Sequence, residues 1–317
     1  VVLDADGREV AAGATAPAGG PHAEVVALAA AGDRSRGGSV VVTLEPCAHR
    51  GRTGPCTDAL IAAGLARVVF ATSDPHELAA GGGETLRAAG IDVEGGVLEA
   101  EALADLGPWR LAMSRRRPHV TWKYAATLDG RTAAADGTSR WITGEAARAD
   151  VHVLRARADA VVVGIGTVLA DDPALTVRGI DVGRQPLRVV VDSHGRTPID
   201  ARILDEAADT LVAVSAGAPV DRRSALRRAG AEVVELPSDA EGVDLTALLA
   251  ALFERECSLV LVEGGARLAS GFMTAGLVDR VVAYLAPAML GAGSAVVDDF
   301  GVKTIADARR LTLREVT

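Results

Sequence analysis

The chain runs to 317 residues, enough for two domains that each bury a core of their own. A net charge of −9 excludes a broad nucleic-acid surface, because a phosphate backbone demands a basic face, although a few local arginines suffice for one phosphate on a small substrate. Three cysteines make no disulfide framework, and with no apolar run of about 18 residues and no signal peptide the expectation is a reducing, cytoplasmic setting without membrane contact.

The opening VVLDADGREVAAG reads as a strand, a D-G turn and a second strand. From His22 to Ala31 the apolar residues Val25, Val26, Leu28 and Ala29 have helical spacing, which stops at Gly32. SVVVTL (39–44) is a run dominated by β-branched residues, as expected of a buried strand. Cys47 lies just past its end. Cys56 opens the helix CTDALIAAG, where the backbone dipole favours a thiolate. ARVVFAT is the next strand, GETLRAAG a helix and IDVEGGV a strand, an alternation that defines an α/β sandwich with a largely parallel sheet. Residues 99–117 form a helix ending in Arg115–Arg117, which read as a solvated linker. The expected domains are therefore 1–114 and 118–317.

The second half restarts with the strand PHVTWKYAATLDGRTAA, whose D-G pair predicts a hairpin turn. GEAARADVHVLRARA is an amphipathic helix, and ADAVVVGIGTVLADDP is a buried strand leading through glycine into a short helix. QPLRVVVDS, DTLVAVSA and AEVVELP are three more strands. LTALLAALFERE is a helix, CSLVLVEGG a strand, ARLASGFMTAGLVD a helix and RVVAYLAPAML a strand. Cys257 lies in an apolar run and reads as a buried, inert thiol.

The chemistry of the first half gathers in GPHAE and TLEPCAHRGRTGPC. His22, Cys47 and Cys56 are three good ligands for one tetrahedral zinc per chain, with the fourth position left to water. Glu24, two residues from His22, stands near that water without binding the metal. This is the layout of a zinc deaminase, in which the activated water attacks an amidine-like ring carbon and the glutamate moves the protons. H-A-E alone is equally what a solvated first helical turn carries. The two P-C pairs, in a chain with one further cysteine, give the zinc reading its weight. Eight residues separate these cysteines where the general deaminase signature has two, which points away from deaminases of free nucleosides or RNA bases. In the second half, GIGT (164–167) and EGGARLASG (263–271) each join a strand to a helix through glycine. Such joins cradle phosphates or serve only as tight turns, and neither is the G-x-G-x-x-G of a Rossmann site.

Those blocks, with KYAATLDGRTA (123–133), SRWITG (139–144), GIGTVLADDPALTVR (164–178) and VEGGARLASGF (262–272) in the same order, resemble the bifunctional riboflavin-biosynthesis deaminase–reductase family over nearly the whole chain. The resemblance implies a cytidine-deaminase-like α/β/α sandwich followed by a dihydrofolate-reductase-like α/β domain. It implies zinc-dependent deamination of 2,5-diamino-6-(5-phosphoribosylamino)pyrimidin-4-one, then NADPH reduction of the product's ribosyl group to ribityl, in a homo-oligomer. The alternative is a zinc nucleoside or RNA-base deaminase with a non-catalytic second domain.

Carried over position by position, NADPH would touch Ala125, Trp141, Thr167, Asp171 and Ser193, with Gly265, Ala266, Arg267, Leu268, Ala269, Ser270 and Gly271 around its phosphates. The phosphorylated pyrimidine would meet Ser139, Arg155, Leu175, Arg178 and Glu263. Arg155 and Arg178 offer guanidinium forks for a phosphate, Trp141 a flat apolar wall, and Lys123 a proton as the sugar ring opens. His49 and Arg52 would face the base and phosphate in the deaminase. Thr15 stands where the family has a histidine, and His76 and Glu77 replace its usual Asn-Pro. Family members also carry a helix and a Pro-Asn-Pro turn ahead of Val1, so an N-terminal piece is expected to be missing, and LTLREVT reads as one strand short of the usual end.

Overall fold

The structure, a computed structural model, describes residues 1–16, 19–51, 53–75, 81–238 and 242–317. These fall into two compact units, Val1–Ser114 and Arg115–Thr317. Among the described residues no helix is long and apolar enough to cross a membrane.

In the first unit β1 (Val2–Leu3), β2 (Glu9–Ala11), β3 (Ser39–Leu44), β4 (Arg67–Thr72) and β5 (Asp92–Gly95) form one sheet in the order β2-β1-β3-β4-β5. The last three run parallel, and β1 is antiparallel to both of its neighbours. The helices are α1 (Ala23–Ala31), α2 (Cys56–Ala62), α3 (Gly82–Ala88) and α4 (Glu99–Arg115). Ala27 and Ala31 of α1, Leu60 of α2 and Leu86 of α3 meet Val40 and Val68 of the sheet in the core. This corrects the expectation of a strand buried on both faces at 39–44: Val40 is buried at 1% exposure while Val41 is 40% exposed. Successive side chains of a strand point to opposite faces, and the core built with α1–α3 takes only one of them.

In the second unit β6 (His119–Thr127), β7 (Ala160–Gly164), β8 (Leu187–Val191), β9 (Thr210–Ser215), β10 (Glu232–Leu236), β11 (Leu259–Val262) and β12 (Arg280–Ala286) pair in the order β10-β9-β8-β7-β11-β6-β12, parallel throughout. Its helices are α5 (Glu145–Ala156), α6 (Ile165–Asp171), α7 (Val220–Arg228), α8 (Leu245–Glu254) and α9 (Ala266–Thr274). Parallel strands covered on both faces need continuous apolar runs, and β7 supplies one. Its Val162 enters one core cluster, while Val161 and Val163 enter a second.

Two expectations for this unit are corrected. The D-G pair does turn the chain, with Gly130 N donating to the Thr127 carbonyl at 2.9 Å. No hairpin returns, because both edges of β6 are taken by the parallel strands β11 and β12, and Arg131 bridges to Ala295 instead. Nor is Arg115–Arg117 a solvated linker. Arg115 donates to the Asp279 carboxylate at 2.6 Å, Arg117 donates to it at 2.7 and 2.8 Å, and the Val120 amide completes the clamp at 2.9 Å. Asp279 directly precedes β12, which pairs with β6, so its carboxylate faces the start of that strand.

Candidate active sites

The first site is assembled where three elements begin or end. His22 is the residue capping the start of α1, in extended conformation, and Glu24 is buried in that helix's first turn. Cys47 follows β3 and Cys56 is the first residue of α2. The Cys56 amide donates to Cys47 Sγ at 3.4 Å and the Thr57 amide to the Cys47 carbonyl at 3.2 Å, so the strand end and the helix start are tied together. His22 Nδ1 lies 3.2 Å from Cys56 Sγ and 3.6 Å from Cys47 Sγ. The three donor atoms are all within 4.8 Å of one another, and Glu24 is not among them. Zinc–sulfur bonds near 2.3 Å and a zinc–nitrogen bond near 2.0 Å put tetrahedral N and S ligands about 3.5 Å apart. The residues present fit the ion.

The electrostatics agree. The Cys56 thiol hydrogen bond pulls Cys47 down to about 5, helped by the Cys56 amide and His22 and opposed by burial. Cys56 is pushed up in turn, first by that same bond, then by burial and by the adjacent Glu24. Two sulfurs sharing one proton form a site from which a cation displaces that proton on binding.

His49 lines a cavity of about 250 Å³ with His22, Cys47 and Thr53, and its Nδ1 is buried without a partner among the described residues. The Thr15 hydroxyl accepts from the Ala23 amide at 3.3 Å and so steadies the start of α1. Arg52, His76 and Glu77 lie outside the described residues. Sequence reasoning missed Glu45. Its buried carboxylate accepts from the Gly83 amide at 2.9 Å and from the Asp74 amide at 3.4 Å, fixing the segment that carries Cys47. An acid at the end of an apolar strand was the available signal.

The second site centres on Glu263, directly after β11. Arg155 on α5 donates to both carboxylate oxygens, at 2.5 and 2.9 Å, and to the Thr176 carbonyl at 3.0 Å. Lys123 on β6 is 3.9 Å from the same carboxylate and 5.8 Å from the Tyr284 ring centre, while the Tyr284 hydroxyl donates to Asp150 at 2.5 Å. Burial would raise the Glu263 carboxyl, but Arg155, Lys123 and His152 outweigh it and hold it below the usual range. Burial, seconded by Arg155 and opposed by Glu263, lowers the Lys123 ammonium.

The fold gives several of the expected contact residues other partners. Arg155 is not a free fork for phosphate, because Glu263 and Thr176 occupy it. Arg178 is exposed, and its guanidinium makes no bond among the described residues. The Leu175 side chain is 3% exposed in the core, which leaves only its backbone for a ligand. Of the segment 265–271, Leu268 and Ala269 are buried in the core, the Ser270 hydroxyl donates to the Ala266 carbonyl at 2.9 Å, and Gly271 abuts Leu245. Gly265 and Arg267, at the start of α9, are exposed, and Ala266 and Gly271 are half-buried. Gly264 is required there, since a Cβ would sit 2.8 Å from the Thr167 hydroxyl.

Trp141 is 71% exposed with the Arg148 guanidinium 4.6 Å from its ring centre, so it is no core residue. Ser139 is half-buried in the same loop, and the Asp171 carbonyl accepts from Arg140 at 2.9 Å. Ala125 is half-buried on β6 opposite Tyr284. Ser193, two residues beyond β8, accepts on its hydroxyl from the Val243 amide at 3.2 Å. His152, Asp150 and Tyr284 were missed, although the spacing of Arg148, His152 and Arg155 is a helical stripe.

Two family models match the chain: the cytidine and deoxycytidylate deaminase zinc-binding region over residues 1–72, and the RibD C-terminal domain over residues 118–317. Fold and sites thus define a zinc-dependent deaminase joined to an α/β reductase. The chain is 46% identical over 316 residues to the riboflavin biosynthesis protein RibD of Mycobacterium tuberculosis, covering 98% of this chain and 84% of the relative. The solved RibD of Acinetobacter baumannii is 40% identical with a TM-score of 0.87, covering 99% of this chain and 87% of that one. A Thermotoga maritima structure described as a diaminohydroxyphosphoribosylaminopyrimidine deaminase/5-amino-6-(5-phosphoribosylamino)uracil reductase is 36% identical with a TM-score of 0.80, covering 96% and 84%. The chain belongs to the RibD family of bifunctional riboflavin-biosynthesis enzymes, deaminase and reductase in one polypeptide. A lone nucleoside or RNA-base deaminase with an inert second domain is set aside.

Proposed function

We propose that the first unit removes the exocyclic amine of 2,5-diamino-6-(5-phosphoribosylamino)pyrimidin-4-one and that the second reduces the product's ribosyl group to ribityl with NADPH. The observation that carries the hydrolytic half is the convergence of His22, Cys47 and Cys56 with Glu24 buried beside them but outside the ligand set. Zinc, when bound there, supplies a water acidic enough to act as a nucleophile at neutral pH. Glu24 takes a proton from that water and returns it to the leaving nitrogen. His49 and Arg52 hold the base and phosphate side.

In the reductive half NADPH supplies hydride to the C=N bond of the ring-opened sugar. Gly265, Ala266 and Arg267 receive its phosphates at the start of α9, and Ala125, Trp141, Thr167, Asp171 and Ser193 line the rest. Lys123, its ammonium weakened by burial, delivers a proton as the sugar opens. Glu263, aligned by Arg155, accepts from the ribosyl hydroxyls. Arg178 pairs with the phosphate, with Ser139 and the Leu175 backbone beside it. The enzyme works in the cytoplasm as a homo-oligomer. Three unpaired, buried thiols support the reducing compartment, and the exposed Leu285 on edge strand β12 supports association.

Glu24→Ala tests this reading. The variant should keep about one zinc per chain and lose ammonia release by about 10²–10⁴-fold, while NADPH oxidation on the deaminated substrate continues. Undiminished ammonia release would overturn the assignment.

A further inference from the structure

Arg148, His152 and Arg155 stand on one face of α5, four and three residues apart. Each holds a different piece of the reductase site. Arg148 donates to the Thr143 carbonyl at 2.8 Å and covers Trp141. Arg155 holds Glu263 and the Thr176 carbonyl. His152, between them, accepts on Nδ1 from the backbone amide of Arg178 at 3.2 Å. The Arg178 side chain is exposed and bonds to nothing else among the described residues. The bond to His152 thus holds the Arg178 amide itself, beside the Gln185 side chain, which holds Val177 through its amide and its carbonyl at 2.7 and 3.2 Å. A ring nitrogen accepts only while it is unprotonated. Once protonated it repels the Arg178 N–H and donates instead, and the Thr176 carbonyl, which also accepts from Arg155, is an acceptor that faces it.

We propose that His152 is a positioning residue of the reductase: its neutral ring holds Arg178 in place for the substrate's phosphate, and protonation releases that arm. The inference rests on the reading of Arg178 as the phosphate partner. The charged groups facing the ring are Arg155 of the same helix, Arg178 of the loop before β8, and Glu263 at the end of β11, with Lys123 of β6 behind Glu263. Asp150, also on α5, is engaged by Tyr284. Burial, then Arg155 and Arg178, favour the neutral ring, and Glu263 and the Thr176 carbonyl oppose them. The balance lies below the ordinary 6.5.

The test measures kcat and KM on the phosphorylated, deaminated substrate at saturating NADPH across pH, together with hydrogen exchange of the Arg178 amide. In the unmodified enzyme KM should rise as pH falls below 6.5, with kcat steady. His152→Ala should raise KM about tenfold at neutral pH, leave the KM for NADPH unchanged and expose the Arg178 amide to exchange. His152→Asn keeps an acceptor that does not titrate, so it should hold KM low and flatten the acid rise. An acid rise that persists in His152→Asn would overturn the proposal. If Arg178→Ala leaves KM unchanged, the reading of Arg178 falls and this inference with it. If Arg178→Ala raises KM while His152→Ala does not, the role of His152 alone falls.

Discussion

Gly82 sets the closest approach in the deaminase unit. A Cβ at that position would lie 1.7 Å from the Pro46 carbonyl oxygen, one residue before Cys47 of the candidate metal cluster, and Glu45 accepts from the next amide along. Gly82→Ala should therefore push the Cys47 segment out of register, so that zinc is stripped at lower chelator concentration while reductase activity is spared. Metal content after graded chelation reads this out. Lys123 gives a pH prediction: its ammonium loses its proton below the ordinary 10.5, so the kcat of reduction should fall as pH rises through that lowered value. In Lys123→Arg the alkaline fall should vanish, along with most of kcat. The convergence of His22, Cys47 and Cys56 was legible in the sequence because few residue types bind zinc, and strand or helix ends place them. Glu45 and His152 were not, because they act on backbone amides, which leave no mark in residue type. The Arg155–Glu263 pair escaped the sequence for a related reason: a fork suited to phosphate is equally suited to a carboxylate, and Glu263 reaches it within the fold.

At the level of elements, the Asp279 clamp ties Arg115 and Arg117, at the start of the second unit, to the starts of β6 and β12. The carboxylate is nearly buried and bonded by two arginines and an amide. Asp279→Ala should cost about 2–4 kcal/mol in denaturant unfolding of the second unit, because it strands partly buried cations. Burial would raise the Asp279 carboxyl, but Arg117 and the Val120 amide hold it below its ordinary 3.8. Its contribution is thus full above the unfolded value and fades as pH falls through the lower, folded one. Periodicity placed the strands and helices well, since parallel β/α units repeat a simple alternation. It failed where pairing partners decide the outcome. A D-G turn makes a hairpin only if a strand edge is free, and valines at 40–42 are buried twice only if both faces are covered. Strand order and coverage are properties of the assembled sheet.

At the scale of the whole molecule, each unit has its own sheet and its own core. Chelation should accordingly abolish deamination while NADPH oxidation on the already deaminated substrate proceeds at its former rate, and parallel assays of the two half-reactions check this. β11 is followed by Glu263, Gly264 and Gly265, of which the first faces Arg155 and Lys123, the second abuts Thr167 and the third caps α9. On the proposed reading the two ligands of the redox half would share a join two peptides long, and a mutation there would disturb both. Divergence of this scaffold toward a new sugar would then have to be written away from this join, at the exposed Arg178 side chain, because 139–143 carries Trp141 on the NADPH side and Leu175 and Val177 are buried.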